Sequence, residues 1–243
     1  MRQCYVSESL SGLNYKDKYG FNDYTDSLEH LYLFGLYREY ELEIIKNHNG
    51  RLTIIWCGSD AKDLSEEWVT IIKNKKINHI SISETIQKTL LKHNIHSKVI
   101  YLTAVQIIPE LSNHPNGDFI YFYSSDNAPN VYNEEYIPYI IEKTKIPIIR
   151  GSIGVYSKKD LYSIYQKSFL NLRLTTHDGT PHTNLEMGLM GRKSIFNGEL
   201  PYSIKWDGID DICDNIMKEY ENRYNDNTYV SEKYIKFIKK NVI

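Results

Sequence analysis

The run Leu52 to Trp56, LTIIW, is the feature that most constrains the fold. A continuous apolar run of this length marks a strand buried on both faces, which happens where a parallel sheet is covered by helices on either side. It ends abruptly in Cys57-Gly58-Ser59-Asp60. Around it, strand-like and helix-like segments alternate. Residues 2–6 read as a first strand, His30 to Leu36 as a strand, Arg38 to Asn47 as a helix stopped by Asn49-Gly50, and Ser65 to Asn74 as a helix. His79 to Ser83 and Lys98 to Thr103 read as strands flanking a helix from Glu84 to His93. The polar stretch Ser7 to Asp26 lacks periodicity and reads as a long loop.

Residues 109–118, PELSNHPNGD, combine two prolines, a glycine and polar residues and read as a linker. The alternation then restarts with the strand Phe119 to Tyr123, a helix from Asn133 to Lys143, the strand Ile146 to Ile149 and a helix from Lys158 to Lys167. Helices near 210–224 and 231–240 close the chain. Such alternation in both halves predicts an α/β protein of two Rossmann-like parallel-sheet domains facing across a cleft. The expected division is 1–112 and 113–243, with the last helix packing back on the first domain. At 243 residues the chain is long enough for two such domains.

Composition excludes several function classes. A net charge of −2 argues against nucleic acid as the partner. No apolar run reaches the length of a membrane span, and Met1-Arg2-Gln3-Cys4 opens no secretory signal. Cys4, Cys57 and Cys213 are odd in number and far apart, so reduced thiols in a cytoplasmic setting are expected rather than disulfides or a zinc site. There is no P-loop, GxSxG or GxGxxG after the first strand, and no DxD pair for a metal-held diphosphate.

Chemistry concentrates between Asn171 and Gly198, NLRLTTHDGTPHTNLEMGLMGRKSIFNG, which reads as strand, polar turn, helix and strand. Leu170, Leu172 and Leu174 alternate with Asn171 and Arg173; Thr175 to Pro181 is turn chemistry; and a helix runs from Thr183 to its stop at Gly191. If Thr180 or Thr183 caps that helix, its free N–H groups and positive dipole end face the turn and suit a diphosphate. Asp178 can hold sugar hydroxyls, and Glu186, near the first turn, can accept from a ribose diol. Taken singly, Asp178 is equally a turn residue and Glu186 an acid favoured at a helix start. Arg173, inside an apolar strand, needs an anionic partner, either a ligand phosphate or a carboxylate such as Asp178 or Glu186. Arg150, at the end of IPII, carries the same two readings. Asp60 either points a carboxylate into the cleft as a base, opposite Asp178, or caps the segment that follows it. His177 and His182 flank the turn and read as solvated.

The spacing Asp178-x7-Glu186, followed by Met187-Gly188-Leu189-Met190-Gly191, resembles the E-x7-E signature of GT-B glycosyltransferases. The order of elements from Asp118 to Lys205, including Gly154-Val155 and the helix around 160–165, is similar to their donor domain. Trp56-Cys57-Gly58-Ser59-Asp60 matches their first domain more loosely. The resemblance implies a metal-independent, retaining transferase of glycan biosynthesis that moves a sugar from a nucleotide-diphosphate sugar to an acceptor hydroxyl, with no other cofactor. It implies that Glu186 contacts the donor ribose, that Asp178 lies by the donor sugar, and that the backbone of Gly179 and Thr180 approaches the phosphates or sugar. Gly58 and Ser59 would border the same pocket. Three departures stand out: Asp178 replaces the usual Glu, Ser124-Ser125-Asp126-Asn127 replaces the basic pair that grips the diphosphate, and the chain is short for the family. Phosphate charge would then be met by the helix terminus, by Ser125, and by Arg150 and Arg173. The rival readings are a nucleotide-sugar epimerase of similar fold and a non-catalytic module that binds nucleotide sugar.

Overall fold

The computed structural model describes the chain except at Met1, Ser11, Asp26, Ser27, Asp63, Ile153, Thr176, His177, Val242 and Ile243. Two compact units divide the chain between Ala104 and Val105, with Asn241 joining the first. Each is a parallel sheet with helices on it.

In the first domain the strands are β1 (Arg2–Val6), β2 (Asn22–Asp23), β3 (His30–Phe34), β4 (Leu52–Trp56), β5 (Ile77–Ser81) and β6 (Lys98–Val99). They pair in the order β2-β1-β3-β4-β5-β6, every pair parallel. All five residues of β4 are buried, as its apolar run requires. The crossovers are α1 (Tyr15–Tyr19), α2 (Glu39–Asn47), α3 (Glu66–Lys73) and α4 (Glu84–Leu91). Ser65 and Ser83 cap α3 and α4 by accepting from the amides of Trp68 and Ile86. The stretch expected as a loop before His30 holds both α1 and β2. Asn14 caps α1, Gly20 ends it in the left-handed region, and Tyr15 is buried against Phe34 at 4.8 Å. One helical turn and a two-residue strand are too short to print a period on the sequence. β5 starts at Ile77 rather than His79 because Ile77 pairs with Leu52 at the start of β4.

The second domain holds β7 (Phe119–Tyr123), β8 (Ile148–Gly151), β9 (Ser168–Leu172), β10 (Lys193–Ile195) and β11 (Ser203–Ile204), in the order β11-β10-β9-β7-β8 and again parallel. Its helices are α5 (Ile137–Thr144), α6 (Lys158–Lys167), α7 (His182–Leu189), α8 (Ile209–Glu221) and α9 (Thr228–Lys240). α5 and α8 pack together, and Ile140, Ile212 and Ile216 share one core cluster with Leu170 and Leu172 of β9. α9 packs on α7, with Tyr234 filling the space where a side chain at Gly188 would stand. Among the described residues no helix is long and apolar enough to cross a membrane.

Arg192, fully buried, closes the lower edge of this domain. Its guanidinium donates only to backbone carbonyls, those of Tyr165, Gln166, Ser168, His114, Pro115 and Met190. Burial pushes its pKa down to about 10. Six carbonyl dipoles thus stand in for a counter-ion, and they fasten the segment 114–115 to the end of α6.

Candidate functional site

The strand order of the second sheet locates a crevice. β7 leads through α5 to β8 on one side, whereas β9 leads through α7 to β10 on the other. The carboxyl ends of β7 and β9 therefore border a topological switch point, where open α/β sheets bind ligands. Arg173 lies just past β9, and its amide still bonds Ile195 O of β10 at 3.0 Å. Its buried guanidinium lies against the rings of Tyr123 (4.3 Å) and Tyr132 (4.8 Å), which meet edge-on at 5.3 Å and form one aromatic corner beside it. Both Nε (2.7 Å) and Nη2 (2.5 Å) reach Asp178 Oδ2, while Asp178 Oδ1 accepts from the Gly179 amide at 2.8 Å. Burial opposes the Arg173 charge, but Asp178 outweighs it and holds the pKa above its ordinary value. The aromatic corner and the carboxylate together orient this guanidinium.

A short strap from 129 to 134 builds the rest of that rim. Pro129–Tyr132 is a 3-10 turn, and Tyr132 is the upper ring on Arg173. Asn133, in the left-handed region, donates from Nδ2 to Leu174 O at 2.6 Å. Glu134 takes Arg150 Nε at 2.7 Å and Nη2 at 3.1 Å and also accepts from the Ser124 hydroxyl. Arg150 Nη2 reaches Asp126 Oδ1 at 2.6 Å as well. Three consecutive side chains thus tie the ends of β7, β8 and β9. The Arg150 hydrogen bonds, foremost, hold the Glu134 carboxyl below its usual range. Ser125 is half-buried, and its carbonyl accepts from the Ala128 amide at 3.0 Å.

α7 starts differently from expectation. Its N-cap is Pro181 rather than the expected Thr180 or Thr183. Proline fixes the entry angle and has no acceptor side chain of its own. Gly179 and Thr180 are buried in that turn. Glu186, further along α7, is half-buried beside Tyr165, whose hydroxyl lies 3.4 Å from Oε2. Burial raises its carboxyl to about 7, against the opposing pull of Lys158 and of the Tyr165 hydroxyl. Tyr165 in turn packs edge-on against Tyr121 at 4.9 Å, whose hydroxyl occupies the place where a Cβ at Gly151 would sit.

In the first domain Asp60 is 5% exposed and turned inward. Its carboxylate accepts from the amides of Gly58 (2.7 Å), Cys57 and Ala61 (3.1 Å each) and Leu36 (3.3 Å). Burial lifts its pKa to about 6, with the four amides pulling the other way. Asp60 therefore shapes the Cys57–Ala61 turn and joins it to the end of β3; it is neither held open as a base nor the N-cap of the segment that follows, a place that Gly58 takes. Gly58 and Ser59 sit in that turn.

Comparison with solved structures follows the fold closely. Sucrose-phosphate synthase from Thermosynechococcus elongatus aligns over 94% of this chain and 71% of its own, with a TM-score of 0.65 at 8% identity. TarM of Staphylococcus aureus, in a complex with UDP, α-GlcNAc-glycerol and fondaparinux, aligns over 88% of this chain with a TM-score of 0.60 at 12% identity. The fold is that of the GT-B glycosyltransferases. The pneumococcal O-GlcNAc transferase GtfA, in complex with UDP and GlcNAc, aligns over 86% with a TM-score of 0.50 at 14% identity. The chain spans 52% of TarM and 54% of GtfA. No family model matches the chain, and no curated protein matches it in sequence.

Within the second domain, the structure brings Asp178, Gly179 and Arg173 into direct contact and sets Glu186 on the following helix. Arg150 stands on the same rim but engages Glu134 and Asp126. Both arginines expected to meet phosphate thus already hold carboxylates: Arg173 as a buried cation that needs an anion, and Arg150 in a more exposed pair of ion pairs with Glu134 and Asp126. His182 opens α7, and His177 lies outside the described residues. Tyr123, Tyr132, Glu134 and Tyr165 escaped the sequence reading. With 21 tyrosines in the chain no single ring stands out, and Glu134 and Arg150, sixteen positions apart, share no local pattern.

Proposed function

We propose that this protein transfers a sugar from a nucleoside-diphosphate sugar to an acceptor hydroxyl, with retention of configuration and without a metal ion. One observation supports the reading: at the switch point of a GT-B fold, a carboxylate is fixed by a buried guanidinium, and a half-buried glutamate stands on the helix that follows. Glu186, once ionised, accepts from both ribose hydroxyls. Asp178 faces the donor sugar, and Arg173 with Tyr123 and Tyr132 positions it. The turn backbone at Gly179 and Thr180, the α7 terminus and Ser125 receive the diphosphate. Charge develops on that group as the bond from C1 to the phosphate oxygen breaks, and preorganised N–H dipoles stabilise it without rearranging. C1 then bonds the acceptor oxygen, and the acceptor proton passes to the departing diphosphate. The second domain, 113–243 in this reading, holds the donor; the first takes the acceptor beside Gly58 and Ser59. The setting is cytoplasmic glycan synthesis.

A second reading, a module that binds nucleotide sugar without transfer, draws on the carboxylates that occupy Arg150 and Arg173. A panel of nucleotide sugars separates the readings. Release of nucleoside diphosphate from one donor, accelerated by an acceptor, supports transfer. Saturable binding with no turnover supports the module. Interconversion of two nucleotide sugars identifies an epimerase, and binding of no member of the panel refutes all three.

A further inference from the structure

The amino edge of the second sheet, opposite the crevice just described, carries a groove. Two adjoining cavities of about 200 and 290 Å3 share Asn116, Arg223, Asn225, Asp226 and Asn227 and run from the start of β10 along the α8–α9 connection. Its rims are tyrosines held in fixed orientations. Tyr224 is 74% exposed, yet its hydroxyl bonds Asp118 Oδ1 (3.1 Å) and Arg223 Nη2 (2.9 Å), and the Arg223 guanidinium lies 4.2 Å from its ring. Tyr229 lines the groove and packs edge-on at 5.2 Å against Tyr202, which stands outside the lining and holds a left-handed backbone conformation, φ +53°, that an aromatic residue rarely adopts. All three rings remain open to solvent. A rigid, exposed aromatic ring offers contact area at little entropic cost and suits a ligand with one apolar face and polar edges.

The floor is planar amide. Asn227 is buried and donates to His114 O (2.8 Å) and Asn116 Oδ1 (3.0 Å), and Asn225 donates to Asn222 Oδ1 at 3.1 Å. A side-chain amide carries two N–H donors and an acceptor oxygen; both Asn227 donors are spent inside the floor, so the exposed Asn225 amide is the one presented to a ligand. Two of the groove's cations already hold carboxylates: Lys193 pairs with Glu219 at 2.9 Å and Arg223 with Asp118 at 3.0 Å, and the lining also carries Lys218 and Asp226, one charge of each sign. The floor is also preorganised, because Arg192 fastens its 114–115 segment from below. Each cavity is smaller than the roughly 300–1,000 Å3 that encloses a drug-sized molecule, so the groove fits an extended chain of small rings laid along it.

We infer that this groove is a second binding site, for a neutral oligosaccharide, in which tyrosine faces stack on sugar rings and the Asn225 amide takes their hydroxyls. It goes beyond the proposed transfer reaction and stands without it. The test is titration of the full chain with neutral gluco-, galacto- and N-acetylhexosamine oligosaccharides at millimolar concentrations, followed by NMR or calorimetry, with their sulfated or uronic-acid counterparts as controls. A neutral member binds, Tyr224→Ala and Asn225→Ala each weaken it about tenfold or more, and Glu186→Gln or added nucleotide leaves it unchanged. Both groove residues are exposed, so their removal leaves the thermal unfolding midpoint in place. Binding by no neutral member, binding only by the anionic controls, or affinity that survives both groove variants overturns the inference. So does displacement of the oligosaccharide by nucleotide.

Discussion

Glu186→Gln separates what this side chain costs the fold from what it gives the ligand. Burial lifts the carboxyl from 4.5 to about 7. Between those values the folded chain binds a proton that the unfolded chain has released, so folding stability falls as pH rises through that window. At about 1.4 kcal/mol per pH unit the whole interval amounts to on the order of 3 kcal/mol, an upper bound because solvent reaches a half-buried group. Glutamine keeps the shape and does not titrate. The variant therefore matches the wild type below about pH 4.5 and exceeds it by up to about 3 kcal/mol above pH 7, roughly 6–12 °C in midpoint for a domain of this size. Thermal unfolding across this pH range, with nucleotide titrations in the same buffers, reads both effects. Nucleotide affinity moves the other way: it rises with pH through about 7 in the wild type and falls at least about tenfold in the variant, since hydrogen bonds to a charged acceptor contribute about 1.5–3 kcal/mol each. A stability difference that stays flat with pH, or a variant less stable than the wild type in alkali, refutes the burial argument. Unchanged nucleotide affinity refutes the ribose assignment.

Asp178→Asn depresses turnover more than donor binding, whereas Asp178→Ala also costs about 3–5 kcal/mol in urea unfolding because it strands a buried guanidinium. Tyr132→Leu removes one of the two rings against Arg173 and lowers kcat more than it raises KM; Tyr132→Phe, which keeps the ring, restores it, and equal losses in both variants would count against a positioning role. Asp60→Ala leaves four amides of a buried turn without their acceptor and destabilises the first domain by at least about 3 kcal/mol. A loss within about 0.5 kcal/mol of zero, the range of ordinary surface substitutions, would contradict its anchoring role.

Much of this architecture was legible in the chain itself. LTIIW is buried on both faces because only a helix-covered parallel sheet can hold such a run, and the alternation on either side of residues 109–118 supplied the second sheet for the same reason. Serines at 65 and 83 marked helix starts because a hydroxyl that accepts from an N3 amide is a local device. The turn at 178–180 and the helix after it were likewise local, and so was the isolation of Arg173 among leucines, which announced that it must hold an anion.

Which anion it holds was not local. Asp178 takes Arg173 because the chain folds back within five residues at a desolvated strand end, and Tyr123 and Tyr132 complete the cage from a strand and a strap 50 and 41 positions earlier. Arg150 is likewise given to Glu134 and Asp126 only by the juxtaposition of strand ends. Asp60 reads in sequence as either base or cap; the decision lies in the close approach of β3, whose following amide at Leu36 turns the carboxylate inward. Periodicity is a property of neighbours along the chain and fixes elements. Partners in a charge pair or an aromatic cage are neighbours in space, chosen by strand order and burial once the sheet exists.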